Sequence, residues 1–150
     1  AMIFLMFVGA SPGSTGGGIK TSTLFALIQG IKTAATNTSG KAFHYSVPHG
    51  VFRKASVIAV MGISVIAVGT FMLCAFEPDI AIRDALFEMT SAFGTVGLTT
   101  GITTGLCTAS KLLSIVIMYI GRLGPLTIAT LWYFTNGDRI KYPDGNIAIG

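Results

Sequence analysis

A row of backbone carbonyl oxygens can replace the hydration shell of a cation such as potassium without any formal charge. Thr95-Val96-Gly97-Leu98 has the composition for that chemistry. It lies within Ser91–Gly101, SAFGTVGLTTG, a stretch with no charged side chain. Turning successive carbonyls the same way needs unusual dihedrals, which glycine permits, and Gly97 is placed to supply them. A helix ending just before this stretch would aim its partly negative C-terminus at the ion path. The expected ion contacts are the carbonyls of Thr95, Val96 and Gly97, with Leu98 completing the segment.

Two further groups stand out. Gly13, Ser14, Thr15, Gly16, Gly17 and Gly18 follow Pro12 and interrupt an otherwise apolar helical pattern. So many glycines beside a proline cannot continue a helix. Within a membrane, non-helical backbone is tolerated only where protein buries it or water reaches it. A glycine loop before Lys20-Thr21 also invites comparison with a phosphate-binding P-loop. The spacing fails, because Ile19 intervenes after Gly18 and rotates the lysine by about 100°. Arg122 is the third group, a charge inside an apolar helix, flanked by Gly121, Gly124 and Pro125. Such a charge faces a cavity or a partner. Its expected partners are the carbonyls of the Gly13–Gly18 loop, the two together forming a gate, with a kink at Pro125. His44 and His49 fit a solvated loop, no Ser-His-Asp or Cys-His arrangement can be assembled, and no catalytic site is expected.

The elements that must hold these groups follow from composition. Of 150 residues, 51% are hydrophobic and only 11% charged, and the mean hydropathy is +0.72. A soluble domain carries about a quarter charged residues, so an all-α membrane protein is expected. The net charge of +4 is not gathered into a basic run with interleaved aromatics, so nucleic acid is not an expected partner. Cys74 and Cys107 lack metal-ligand spacing and read as lone thiols.

In chain order, residues 1–35 are expected to form an interrupted transmembrane helix with an intramembrane glycine-rich loop at 9–18. No basic region precedes Met2, so the chain is expected to begin inside an element rather than with a signal peptide. Residues 36–54 form a polar loop with a turn at Asn37–Gly40, and 55–76 an uncharged run long enough to span a bilayer. From Lys20 to Lys54 there are five basic residues and no acid, which places that side in the cytoplasm. Glu77, Asp79, Asp84 and Glu88 would then lie outside and enrich cations. Residues 80–101 hold a helix capped by Asp79, too short to cross, and the carbonyl-lined segment: a re-entrant pore loop. Residues 111–135 form the last membrane helix, carrying Arg122 and an interfacial Trp132-Tyr133, and 136–150 a cytoplasmic tail. Ile3–Gly9 and Ile115–Gly121 match in residue type, position by position, as repeated modules of a transport fold do.

These residues together resemble the C-terminal part of the Trk/Ktr/HKT superfamily of potassium transporters, a TrkH/KtrB-type membrane subunit. GASPGSTGGGIKTST (Gly9–Thr23) is similar to the interrupted helix of the family's third repeat. SAFGTVGLTTG is similar to its fourth pore loop, with Thr95-Val96-Gly97 matching the TVG of potassium channels and Leu98 replacing tyrosine. IMYIGRLGPLTIAT (Ile117–Thr130) is similar to its arginine-bearing last helix. The resemblance implies a helix–pore-loop–helix repeat in a pseudo-fourfold, channel-like pore, with one filter glycine per repeat, here Gly97. It implies a gating loop partnered by Arg122, potassium or sodium as the transported ion, and no cofactor bound by this chain. It further implies a multi-pass protein of the bacterial inner membrane. Its partners would be the lipid bilayer, the remaining pore repeats, a second copy in a homodimer, and a cytoplasmic nucleotide-binding regulatory subunit of the TrkA/KtrA type. Two other readings compete: a two-helix subunit of a tetrameric cation channel, and a soluble P-loop module.

Overall fold

The structure is a computed structural model that describes residues 1–9, 11–36, 41–42, 45–46, 49–124 and 127. These residues form five helices: α1 (Met2–Phe7), α2 (Thr21–Thr36), α3 (His49–Phe76), α4 (Ile82–Gly94) and α5 (Thr108–Leu123). A 3-10 turn at Ile102–Thr104 precedes α5. One antiparallel pair, β1 (Lys41–Ala42) and β2 (Tyr45–Ser46), lies between α2 and α3. The architecture is all-α apart from that pair. It contains helices where a nucleotide-binding module would require a parallel sheet.

α1 ends where glycine and proline remove helical support, and the chain detours from Gly9 to Gly18. Its neck is closed by main-chain bonds: Gly9 N–H donates to Ile19 at 2.7 Å, and Ile19 N–H donates to Phe7 at 3.1 Å. Val8 and Ile19 form a parallel bridge, so the chain leaves and re-enters the detour running in the same direction. Ile19, which forms part of this neck, is buried.

α3 has 28 residues, roughly 42 Å at 1.5 Å per residue, enough to exceed a hydrocarbon core of about 30 Å. Among the described residues it is the one helix long and apolar enough to cross a membrane, over Gly50–Phe76. It starts at His49, six residues before the expected Ala55. Arg53 and Lys54 mark a membrane edge by charge, but both are good helix formers and do not end a helix. α5 stops at Leu123, with Gly124 at φ +87° as its terminus. The expected kink at Pro125, the aromatic pair Trp132-Tyr133, residues 128–150, His44 and the turn at 37–40 lie outside the described residues.

The core gathers around α4. It packs against α1, α3 and α5, and the central apolar cluster joins Ile19, Ile66, Leu73, Ala85, Met89, Phe93, Leu106 and Ile117. On α3 the inward stripe runs through Gly62, Ile66, Gly69 and Leu73, spaced by three to four residues as one helical face requires. Its opposite face presents Val57, Val60, Ile63, Val68 and Phe71 to the exterior, and α5 presents Leu112, Ile115, Val116 and Tyr119. Apolar surface on that scale is covered by lipid or by protein.

Candidate ion-coordinating segment and its supports

α4 is 13 residues long, about 20 Å, and its C-terminal half is enclosed on nearly all sides. Glu88, Met89, Thr90, Ser91, Phe93 and Gly94 are all buried. Its N-cap is Ala81, without a side-chain bond, rather than the expected Asp79. Asp84 instead occupies the first turn, where a carboxylate suits the positive helix end.

The end of α4 hands the chain to the candidate segment through a Schellman closure. Thr95 N–H donates to Ala92 and Val96 N–H donates to Ser91, each at 3.0 Å, with Thr95 left-handed at φ 52°. A β-branched residue in that region is disfavoured by about 1–2 kcal/mol. The surroundings compensate, because Thr95 Oγ1 accepts the Gly17 amide at 2.8 Å. Gly97 follows at φ +82° with open space where a side chain would be, and Val96 and Leu98 are exposed.

Three main-chain segments converge on residues 93–95. A Cβ on Gly17 would lie 2.9 Å from the Phe93 carbonyl oxygen, and one on Gly94 would lie 2.5 Å from that of Met6. From α5, a Cβ on Gly121 would lie 1.9 Å from the Phe93 oxygen. The Phe93 ring, fully buried, stacks on Phe7 with centroids 6.1 Å apart. The glycine loop, the end of α4 and α5 therefore meet at backbone distance.

Of the expected gate residues, Gly17 is buried in this junction and Gly18 half-buried, whereas Gly13, Ser14, Thr15 and Gly16 are exposed. Arg122 is exposed in the last turn of α5. Among the described residues no hydrogen bond or ion pair joins it to the loop, and its neighbour Gly121 makes the contact between α5 and the junction.

The four acids expected on the outer side sit in different surroundings. Asp79 is exposed and Asp84 sits 3.7 Å from Arg83. Glu77 Oε1 accepts the Cys107 amide at 2.7 Å, pinning the start of α5, and that backbone bond, followed by the Cys107 side chain, holds the Glu77 carboxyl below its usual range. Glu88 is buried. Its Oε1 accepts from Thr99 Oγ1 and, at 3.0 Å, from the Thr100 amide; its Oε2 accepts from Thr103 Oγ1 at 3.2 Å. The sequence does carry a signal for Glu88: it shares a face with Ala85 and Ala92, three and four residues away, and so falls on the inward side of a short helix.

A family model described as a cation transport protein, TrkH, matches residues 1–140. The chain is 37% identical over 149 residues to the Ktr system potassium uptake protein B of Bacillus subtilis (strain 168), covering 99% of this chain and 33% of that protein. It is 36% identical over 150 residues to the Ktr system potassium uptake protein B of Vibrio alginolyticus, again covering 99% of this chain and 33% of that one. To the potassium/sodium uptake protein NtpJ of Enterococcus hirae it is 36% identical over 155 residues, with 99% and 34% covered. The chain thus spans about a third of the length of these relatives.

Proposed function

The chain belongs to the TrkH family of cation transport proteins, and from that membership we propose that it supplies one wall of a potassium-conducting pore in the bacterial plasma membrane. In this reading the protein crosses the inner membrane several times and works as the pore-forming subunit of a Trk/Ktr-type uptake system. It does so by passive coordination and carries out no enzymatic reaction. Thr95, Val96, Gly97 and Leu98 form one quarter of the selectivity filter, binding potassium through main-chain carbonyls. The relatives' names, potassium uptake and potassium/sodium uptake, support this ion class and leave sodium as the competing substrate. The other walls come from further repeats, and the working unit is a homodimer regulated by a separate cytoplasmic nucleotide-binding subunit.

The observation that carries the reading is the junction at residues 93–95. A helix of half-bilayer length with a buried C-terminal half ends against the segment Thr95–Leu98, so that its partly negative end faces the proposed ion path. The interrupted-helix loop is bonded to that same end through Gly17 and Thr95. The loop Gly13–Gly18 is the gate beneath the filter, and Arg122, one residue from the contact made by Gly121, is its positive partner.

The test is potassium uptake by a potassium-transport-deficient bacterium expressing the full-length protein. Gly97→Ser has room for its side chain but must adopt φ +82°, a conformation that costs an L-residue about 1 kcal/mol or more. The chain is expected to rotate away from it, turning carbonyls off the path and collapsing the preference for potassium over sodium. Unaltered uptake and selectivity would remove the filter assignment. In the same assay Arg122→Ala is expected to raise flux by freeing the gate; unchanged flux and ion dependence would dismiss the role of Arg122.

A further inference from the structure

We propose that Glu88 is a positioning residue that sets the outer end of the filter and thereby its ion preference. This rests on the reading of Thr95–Leu98 as the filter.

The candidate segment is held at two ends and little between. At its inner end, Thr95 is fixed by the Schellman closure and by the Gly17 amide. At its outer end, the residues immediately after Leu98 are fixed by Glu88, whose carboxylate takes the Thr99 hydroxyl, the Thr100 amide and the Thr103 hydroxyl. Thr99 Oγ1 also accepts the Gly101 amide at 2.9 Å and lies 2.7 Å from Thr103 Oγ1. Among the described residues Gly97 and Leu98 make no hydrogen bond. Among the described residues, hydrogen bonds fix the segment only at these two anchors.

Discrimination between potassium and sodium depends on where those oxygens stand and how firmly. A buried carboxylate is costly unless its lone pairs are used, and here three donors use them. Glu88 is 8% exposed and lies on α4 rather than on the segment it ties down. It couples the outer anchor to the same rigid helix that carries the inner one, and the filter is spanned between two points of one element.

Three changes to the full-length protein test this, each read as the potassium-to-sodium uptake ratio, the apparent KM for potassium and the amount in the membrane. Glu88→Asp keeps the charge but draws the carboxylate back by one methylene, away from the Thr100 amide. It is expected to lower the ratio about tenfold or more, the effect of losing a hydrogen bond to a charged group, at normal abundance. Thr103→Val removes one donor from an exposed residue outside the filter and is expected to lower the ratio severalfold. The double variant should be no worse than Glu88→Asp alone, since both act through one network. An unchanged ratio and KM for Glu88→Asp at normal abundance would overturn the proposal. If that protein fails to reach the membrane, an unchanged ratio in Thr103→Val overturns it instead. Gly97→Ser measured alongside separates the two claims. Altered selectivity there, with Glu88 and Thr103 variants silent, removes the positioning role and leaves the filter; silence in all three removes both.

Discussion

Gly121→Ala is expected to push α5 off the end of α4 and abolish potassium uptake. The added Cβ would stand 1.9 Å from the Phe93 oxygen, 2.8 Å from its carbonyl carbon and 3.0 Å from its Cα. All three are main-chain atoms of α4, so no side-chain rotation relieves the overlap. Carbon contacts settle at about 3.5–4.0 Å, and one helix must therefore retreat by more than an ångström. Retreat also draws Ile117, which sits against Gly69 of α3, out of its notch. Overpacking typically costs about 1–3 kcal/mol; with backbone on both sides the upper end or beyond is expected. Thermal unfolding of the detergent-solubilised full-length protein, with uptake in cells, measures it. Gly105→Ala is the control, since the nearest atom to its Cβ would be 3.6 Å away, an ordinary contact. Wild-type stability and uptake in Gly121→Ala would mean that α5 and α4 do not touch through their backbones.

Phe93→Ala is expected to give the largest loss among side-chain truncations, roughly 3–5 kcal/mol. The ring is 0% exposed, stacks on Phe7 and reaches into the notch at Gly62 of α3. Removing it empties the point at which α1, α3 and α4 meet. The residue's own backbone carries the contacts to Gly17 and Gly121, so the surrounding elements cannot close the void without disturbing them. Phe93→Leu retains most of the apolar volume and is expected to cost about 1.5 kcal/mol or less. Unfolding midpoints of the two variants decide the matter: equal midpoints would show that the ring fills no tight space.

Several features are legible in the sequence alone. The glycine-proline interruption follows from residue types that forbid a helix, and α1 and α2 are indeed separated there. The shortness of α4 follows from the glycine-bearing stretch Gly94–Gly97 at its end and from Glu77-Pro78-Asp79 ahead of it. Other features are not. Thr95 takes a left-handed conformation that a β-branched side chain disfavours, so sequence reasoning assigns the unusual dihedral to Gly97 alone. The bond that compensates Thr95 comes from Gly17, 78 positions away. Arg122 draws attention by its charge, yet the close contact belongs to Gly121, whose only distinction is the absence of a side chain.

The amino-acid sequence by itself determined that this is a helical membrane chain and where its glycine-proline interruption falls, and it marked out the uncharged segment proposed above to present carbonyls to a cation. Those properties follow from composition and from preferences spanning a few neighbouring residues. The tertiary structure alone decided which faces pack together and which groups meet the internal acid. In α3 the face against α4 and the face left outside are both apolar, so hydropathy carries no inward direction. In α4 the face shared with Ala85 and Ala92 marks Glu88 as inward, but only the tertiary structure brings Thr99, Thr100 and Thr103 over it. Contacts between residues far apart in the chain have no local signature, and the junction at residues 93–95 is made of them.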